Sequence, residues 1–185
     1  YQPKAVLIDP DVLTTLDKRQ FCAGLAEVIK MAAIHDKDLF SYLEENEIHQ
    51  NIEYIIEKSL LIKKFFVESD TKENGIRRAL NFGHTIGHAI EVSAEGEGLL
   101  HGECVGIGML YCCDNSVKDR IKKLLLKAGL PHEYKADKVK LKDALIHDKK
   151  ASHSGIKMIF VHEVGSYEVK NMKSDEIINL IEKYN

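Results

Sequence analysis

The sequence predicts a mainly α, multihelical domain with a small β-hairpin near the C-terminus and a short N-terminal strand. Apolar residues recur at helical spacing through most of the 185 residues, and strand-like spacing dominates only after residue 156. The composition, 44% hydrophobic and 30% charged, is that of a globular domain able to bury a core. The length is typical of one domain.

The first elements are a strand, a short helix and two long helices. The apolar run at 5–8 precedes Asp-Pro-Asp and predicts the strand, after which Asp11 or Thr14 could cap a short helix. Apolar residues then follow a helical stripe from about 20 to 47 and again from 50 to 69. These stripes predict the core-facing sides of two long helices.

The later elements are shorter. Apolar residues surround a helix that begins at His101, which predicts that it is buried, and Gly129 marks the end of a helix before Pro131. Ser174 is expected to cap the last helix. The predicted ranges are helices at 83–93, 101–113, 116–128, 138–148 and 174–181, and hairpin strands at 157–162 and 167–169.

Charge and cysteine usage exclude several classes of protein. Twenty-six basic and 29 acidic residues give a net charge of −3, which does not favour nucleic acid or an anionic membrane as a partner. The four cysteines form no CxxC pair, and no signal pattern or apolar run of about 18 residues is present. We expect a soluble cytoplasmic protein with reduced thiols. The first residue is not Met and stands close before an apolar run, so we expect that a preceding portion is missing.

Two histidines four residues apart are the sharpest local signal of a metal site. His84 and His88 fall on one face of the predicted helix, and His101 enters the buried helix 13 residues later. Glu27, within an apolar stripe, is the best carboxylate to complete a zinc-like set. Spacing alone leaves open that the histidines are structural and that Glu27 is simply paired with Lys30 or Lys37.

Basic residues gather near these candidates in the sequence and suit an anionic substrate. Arginine offers a planar fork and lysine a point charge to a phosphate or carboxylate. Glu73, and His88 if it is not a metal ligand, are the acid–base candidates. The basic candidates are Lys30, Lys63, Arg77, Arg78, Lys149 and Lys150.

Three segments resemble the signature segments of the 3-dehydroquinate synthase family. They are AGLAEVIK at 23–30, ESDTKENGIRRALNFGHTIGHAIE at 68–91 and HGECVGIGM at 101–109, and the resemblance extends from Val6 to about the last helix. Their order and spacing are far more specific than any one motif. The resemblance identifies the chain as a C-terminal metal- and substrate-binding domain spanning 1–185, with the N-terminal NAD-binding, Rossmann-like domain absent from it.

The resemblance also implies roles for individual residues. Zn²⁺ or Co²⁺ would be held by Glu27, His84 and His101, and His88 would then be an acid–base or phosphate-contacting group. Glu73 matches a proton acceptor, and Lys30 a catalytic and substrate-binding position. Further substrate-binding positions match Lys63, Arg77, Asn81, His88 and a lysine of the DKK segment, for which we favour Lys149 over Lys150.

The implied reaction converts 3-deoxy-D-arabino-heptulosonate 7-phosphate, a small phosphorylated sugar acid, to 3-dehydroquinate and phosphate in the shikimate pathway. A transient oxidation by NAD would acidify the neighbouring C–H bond before phosphate leaves. No glycine-rich NAD loop follows a strand here, and only Val12, Leu13, Thr14 and Thr15 match a cofactor-contacting position. We therefore expect residues 1–185 alone to be inactive. The family resemblance also implies a homodimer.

Other interpretations remain open at this point. A different sugar-phosphate cyclase, such as a 2-deoxy-scyllo-inosose synthase, would share the metal set and differ in its pocket. A metal-dependent polyol or glycerol-phosphate dehydrogenase would form NADH in net amounts. A helical interaction module with structural histidines would bind no metal.

Overall fold

The structure is a computed structural model that describes residues 3–94, 98–135, 138–150 and 155–184, without side chains at 138, 146–150 and 184. Most of the described chain is helical, as predicted. The helices are α1 Lys18–His35, α2 Lys37–Glu45, α3 Ile52–Ser69, α4 His84–Ser93, α5 His101–Met109, α6 Asn115–Lys127, α7 Lys138–Lys150 and α8 Ser174–Tyr184. Strands β1 Ile156–Phe160 and β2 Glu168–Met172 pair antiparallel, with Ile156 opposite Met172.

Helix α5 forms the centre of the domain. Every residue from Gly102 to Met109 is buried, and the helix packs against α1 on one side and α4 on another. Two glycines allow this close approach: a Cβ at Gly102 would lie 2.1 Å from the Ala23 carbonyl oxygen, and one at Gly108 would lie 2.1 Å from the Gly83 carbonyl oxygen. The helix ends that carry the site are therefore held together by backbone contacts.

The long helix predicted from 20 to 47 is two helices. Asp36 breaks the path with an extended backbone (φ −129°, ψ 98°), and its carboxylate accepts a hydrogen bond from the Leu39 amide at 2.8 Å. An aspartate that satisfies a free amide at a helix start favours a new helix over continuation of the old one. The apolar stripe survives the break because α2 packs against α1.

The predicted N-terminal strand at 5–8 is wrong within the described residues. This segment forms no ladder, since β1 and β2 pair only with each other, and Leu7 is 94% exposed. A strand needs a partner for its amides, and an apolar run alone supplies none. A 3-10 turn, Pro10–Thr15, follows, and its cap is Asp9 rather than Asp11 or Thr14.

Smaller differences concern element ends. Ser174 begins α8 instead of preceding it, and the Lys173 amide donates instead to the Glu176 carboxylate at 2.6 Å. Helix α5 ends at Met109, and α7 runs on to Lys150, so the favoured Lys149 falls in a helix rather than in a loop. None of the helices in the part of the chain that the structure describes is long and apolar enough to cross a membrane.

Candidate metal and anion site

Three helices bring one carboxylate and two imidazoles together. Glu27 lies in α1, His84 is the first residue of α4 and His101 is the first residue of α5. One potential ligand atom from each lies within 4.8 Å of the other two. Glu27 Oε1 and His84 Nε2 are 3.7 Å apart. Ligands about 2.0–2.1 Å from a tetrahedral zinc lie roughly 3.3 Å apart, so a small adjustment would let the three share an ion.

The two oxygens of Glu27 have different surroundings. Oε2 accepts a hydrogen bond from Lys30 Nζ at 2.5 Å, which is one of the two pairings that the sequence left open. Lys37 pairs instead with Glu163. Oε1 is buried and has no hydrogen-bond partner among the described residues. An unpaired buried carboxylate oxygen is costly, and a cation beside it would remove that cost.

The protonation states also suit a cation. Burial, followed by the positive charge of Lys30, lowers the pKa of His84 to about 4, so its imidazole is neutral at pH 7 and can bind a metal. Burial opposes ionisation of Glu27, but Lys30 outweighs it through its charge and hydrogen bond and lowers the pKa of this carboxyl. Burial also lowers the pKa of Lys30, which is only 3% exposed.

A cleft of about 350 Å³ opens beside this cluster. It is lined by seven of the residues predicted for metal, catalysis or substrate, which come from α1, α3, the segment before α4 and the first residue of α4. Four further residues complete the wall, and no motif or spacing singles them out: Met31, Ser59, Leu60 and Leu80. The predicted residues in the lining are Glu27, Lys30, Lys63, Glu73, Arg77, Asn81 and His84.

The loop before α4 positions Glu73 through several hydrogen bonds. The Asp70 carboxylate accepts from the backbone amides of Gly75 at 2.7 Å, Asn74 at 3.1 Å and Arg77 at 3.2 Å. Glu73 has a left-handed backbone (φ 55°), and its Oε1 accepts from Asn81 Nδ2 at 2.8 Å. A left-handed glutamate is uncommon and persists where its surroundings hold it.

His88 is close to the histidine cluster but outside the cleft. Its ring centroid is 5.5 Å from that of His84 and 5.4 Å from that of His101, and its side chain is exposed. It lines a separate groove with Ala144 of α7. His88 therefore lies beside the metal-type cluster and not in the cleft wall, and its catalytic and substrate-binding roles stay predictions.

The remaining candidates lie elsewhere or are not described. Val12, Leu13, Thr14 and Thr15 form the 3-10 turn near the N-terminus, which has no buried residue. Arg78 is not among the residues that line the cleft, and its Nε donates to the Glu73 carbonyl oxygen at 3.1 Å. The side chains of Lys149 and Lys150 lie outside the described residues.

Sequence reasoning missed Glu91, whose Oε2 lies 3.0 Å from His101 Nδ1. A signal was present, because positions 84, 88 and 91 fall on one face of α4. The contact joins α4 to α5, and the packing of these two helices could not be deduced from spacing.

Comparison with known proteins identifies the family of this chain. Residues 24–151 match the family model described as 3-dehydroquinate synthase C-terminal. The 3-dehydroquinate synthase of Thermoanaerobacter pseudethanolicus is 41% identical over 197 residues, covering 98% of this chain and 55% of that protein. That of Lactococcus lactis subsp. cremoris is 42% identical over 198 residues, covering 98% and 56%. The chain spans about half the length of these curated relatives.

Solved structures share the fold. A 2-epi-5-epi-valiolone synthase from Streptomyces hygroscopicus subsp. jinggangensis, with NAD⁺ and Zn²⁺ bound, superposes with a TM-score of 0.81 at 25% identity, covering 95% of this chain and 54% of that one. A 2-deoxy-scyllo-inosose synthase with carbaglucose-6-phosphate, NAD⁺ and Co²⁺ gives 0.79 at 24% identity, covering 94% and 55%. The family model and the relatives near 40% identity cover most of the chain, which therefore belongs to the 3-dehydroquinate synthase family.

Proposed function

We propose that this chain is the metal- and substrate-binding domain of a 3-dehydroquinate synthase. The protein would convert 3-deoxy-D-arabino-heptulosonate 7-phosphate to 3-dehydroquinate and phosphate. The observation that carries the proposal is one cleft whose wall includes two of the three metal-type ligands, Glu27 and His84, and three cations, Lys30, Lys63 and Arg77. A volume of about 350 Å³ falls at the small end of ligand pockets and suits a single sugar phosphate.

The cations support an anionic substrate. Burial is the main cause of the lowered pKa of Lys30, and the charge of Lys63 lowers it further, which means that the two ammonium groups repel each other within the cleft. Such repulsion is relieved when a phosphate or carboxylate lies between them. Arg77 lies at the same wall and would add a fork of donors. Binding by these groups would orient the phosphate as a leaving group.

Glu73 is the proposed proton acceptor. It lines the cleft, and the hydrogen bond from Asn81 fixes one of its oxygens. A carboxylate held in one orientation can take a proton from a bound substrate without first reorganising. His88 lies outside the wall, so we propose only that it acts at the margin of the site, next to His84 and His101.

The metal and NAD would each supply one part of the reaction that the side chains do not. Glu27, His84 and His101 would hold Zn²⁺ or Co²⁺, and the orphaned Glu27 Oε1 supports that assignment. When bound, the metal would polarise a substrate hydroxyl and NAD would supply a reversible oxidation. Solved relatives with this fold contain NAD⁺ with Zn²⁺ or Co²⁺.

The NAD site would lie mainly outside these residues. The described chain has no glycine-rich loop joining a strand to a helix, and only the exposed turn at 12–15 would contact the cofactor. We propose that an NAD-binding domain precedes residue 1, that the enzyme is a cytoplasmic homodimer, and that residues 1–185 alone do not turn over. The free cysteines are consistent with a reducing compartment.

The test uses the full-length protein with NAD and Zn²⁺. Phosphate and 3-dehydroquinate should form in equal amounts, with no net NADH. Glucose 6-phosphate should not react; turnover of it would favour a 2-deoxy-scyllo-inosose synthase, and accumulation of NADH would favour a dehydrogenase. Residues 1–185 alone should release no phosphate. Release would contradict the proposal that most of the NAD site lies outside these residues.

A neighbouring pair of lysines supplies a matched control. Lys63→Ala should lower kcat/KM by about 10- to 100-fold, since a charged contact to a phosphate is worth about 1.5–3 kcal/mol. Lys64→Ala should leave kcat/KM unchanged, because Lys64 is not among the residues that line the cleft and makes a 3.9 Å ion pair with Glu68 on the exposed surface of α3. Equal effects of the two substitutions would contradict the proposal that this cleft binds the substrate.

A further inference from the structure

The two imidazoles of the proposed metal set are held in the same way. His84 Nδ1 lies 3.2 Å from the carbonyl oxygen of Phe82, which can only accept a hydrogen bond, so a neutral His84 carries its proton on Nδ1. His101 Nδ1 lies 3.0 Å from Glu91 Oε2. An ionised carboxylate also only accepts, and the same tautomer follows. In both rings Nε2 is left with its lone pair free.

This hydrogen bond restrains rotation of His101, whose ring also contacts those of His84 and His88. The His101 side chain is 46% exposed and opens a helix, whereas the His84 side chain is 17% exposed. A half-exposed histidine at a helix start can adopt several rotamers and both tautomers unless a partner selects one. Glu91 comes from α4, the helix that also carries His84, so its contact ties the two imidazoles together.

We propose that Glu91 is a positioning residue that holds His101 as its Nδ1–H tautomer and presents Nε2 to the metal. A carboxylate behind a metal-binding histidine fixes ring orientation and raises the basicity of the ligand. The inference rests on the proposed metal site. It adds Glu91 to the residues of that site, as one that would contact neither the metal nor the substrate.

A direct ligand role for Glu91 fits the geometry less well. His88, Glu91 and His101 also offer ligand atoms within 4.8 Å of one another. The 3.0 Å separation of Glu91 Oε2 and His101 Nδ1 is a hydrogen-bond length, shorter than the roughly 3.3 Å expected between two ligands of a tetrahedral zinc. The set of Glu27, His84 and His101 also contains a buried oxygen without a partner, Glu27 Oε1. The set of His88, Glu91 and His101 contains no such atom.

The experiment compares Glu91→Ala and Glu91→Gln in the purified protein, with Glu57→Ala as a control on the exposed face of α3. Nitrogen-15 NMR of the metal-free protein reads the His101 tautomer directly. Zinc affinity is measured by competition with a chelator, and zinc content by elemental analysis. The tautomer readout does not depend on activity or on any bound metal.

We expect the wild type to show Nδ1–H at His101 and to bind one zinc per chain. Glu91→Ala should lose the tautomer preference and weaken zinc binding by about 10- to 100-fold. Glu91→Gln, whose amide oxygen can still accept, should have a smaller effect, and Glu57→Ala none. If Glu91→Ala fails to fold, the Gln variant decides by the same two measurements.

Three results would overturn the inference. Zinc affinity within twofold of wild type in both Glu91 variants would remove the positioning role. Two zinc ions per wild-type chain, falling to one in Glu91→Ala, would make Glu91 a ligand. Wild type with the opposite His101 tautomer would refute the hydrogen bond itself. A wild type that keeps the Nδ1–H tautomer but binds no zinc would instead refute the proposed metal site, and the two failures are thereby distinguished.

Discussion

A methyl group added at Gly108 should lower both the stability of the fold and the affinity of the site for zinc. A Cβ there would lie 2.1 Å from the Gly83 carbonyl oxygen and 2.7 Å from the Gly87 amide nitrogen, against the 3.4 Å of ordinary van der Waals contact. Both obstacles are backbone atoms of the segment that begins α4, so no side-chain rotation relieves the clash. Gly108→Ala therefore requires α4 and α5 to move apart.

The expected cost is a balance of two effects. Alanine stabilises a helix by about 0.5–1 kcal/mol relative to glycine, whereas overpacking a core costs typically about 1–3 kcal/mol. A backbone obstacle puts the cost at the upper end, which leaves a net loss of about 2 kcal/mol. For a domain of this size that lowers Tm by roughly 4–8 °C.

The same movement should weaken the metal set. His84 begins α4 directly after Gly83, and His101 begins α5. Separation of these helices moves the two imidazoles apart, so we expect weaker zinc binding as well as a lower Tm.

Gly24→Ala is the matched control, measured by thermal unfolding and by zinc titration. Gly24 lies on the exposed face of α1, and a Cβ there meets nothing within 4 Å. Its Tm should stay the same or rise, with unchanged zinc affinity. If Gly108→Ala matched Gly24→Ala in both measurements, the close contact between α4 and α5 would not be what holds the site.

Three further predictions concern other parts of the domain. Asp70→Ala removes the acceptor for three loop amides and should speed hydrogen exchange in the loop that follows it, measured by mass spectrometry; unchanged exchange would contradict this. All four cysteines are buried, and burial raises the pKa of the Cys104 thiol to about 12, so a thiol reagent at pH 8 should label them only after unfolding; rapid labelling of the native protein would disagree. Hydrogen bonds to Glu168 and Asp114 raise the pKa of His162, so its contribution to stability is complete below the unfolded pKa near 6.5 and is lost as pH rises through the folded pKa. The Tm difference between wild type and His162→Gln should shrink from pH 6 to pH 9, and a constant difference would argue against the two hydrogen bonds.

Much of the helical architecture follows from apolar spacing, because a helix with one apolar face must bury it. Helices α3, α4 and α6 begin and end within two residues of their predictions. The break at Asp36 was missed because the apolar stripe continues through it, while a local capping bond decides the backbone path. The N-terminal strand was overpredicted because pairing depends on a partner and not on the run itself.

The candidate site was predictable as a set of residue types and not as a geometry. Motif order named Glu27, His84 and His101, and the structure brings them within 4.8 Å. Spacing allowed the pairing of Glu27 with Lys30 in the same helix, but it could not show that the other oxygen of Glu27 is buried without a partner, since that depends on tertiary packing. Spacing also could not show that His88 lies outside the cleft wall.

The proposed site requires α1, α4 and α5 to converge on one divalent ion. Anomalous diffraction at the zinc edge, from crystals of the zinc-loaded protein, locates that ion. We expect one peak with Glu27, His84 and His101 as ligands at about 2.0–2.2 Å. A peak bound by other residues, or zinc-soaked crystals with no peak near these three, would contradict it.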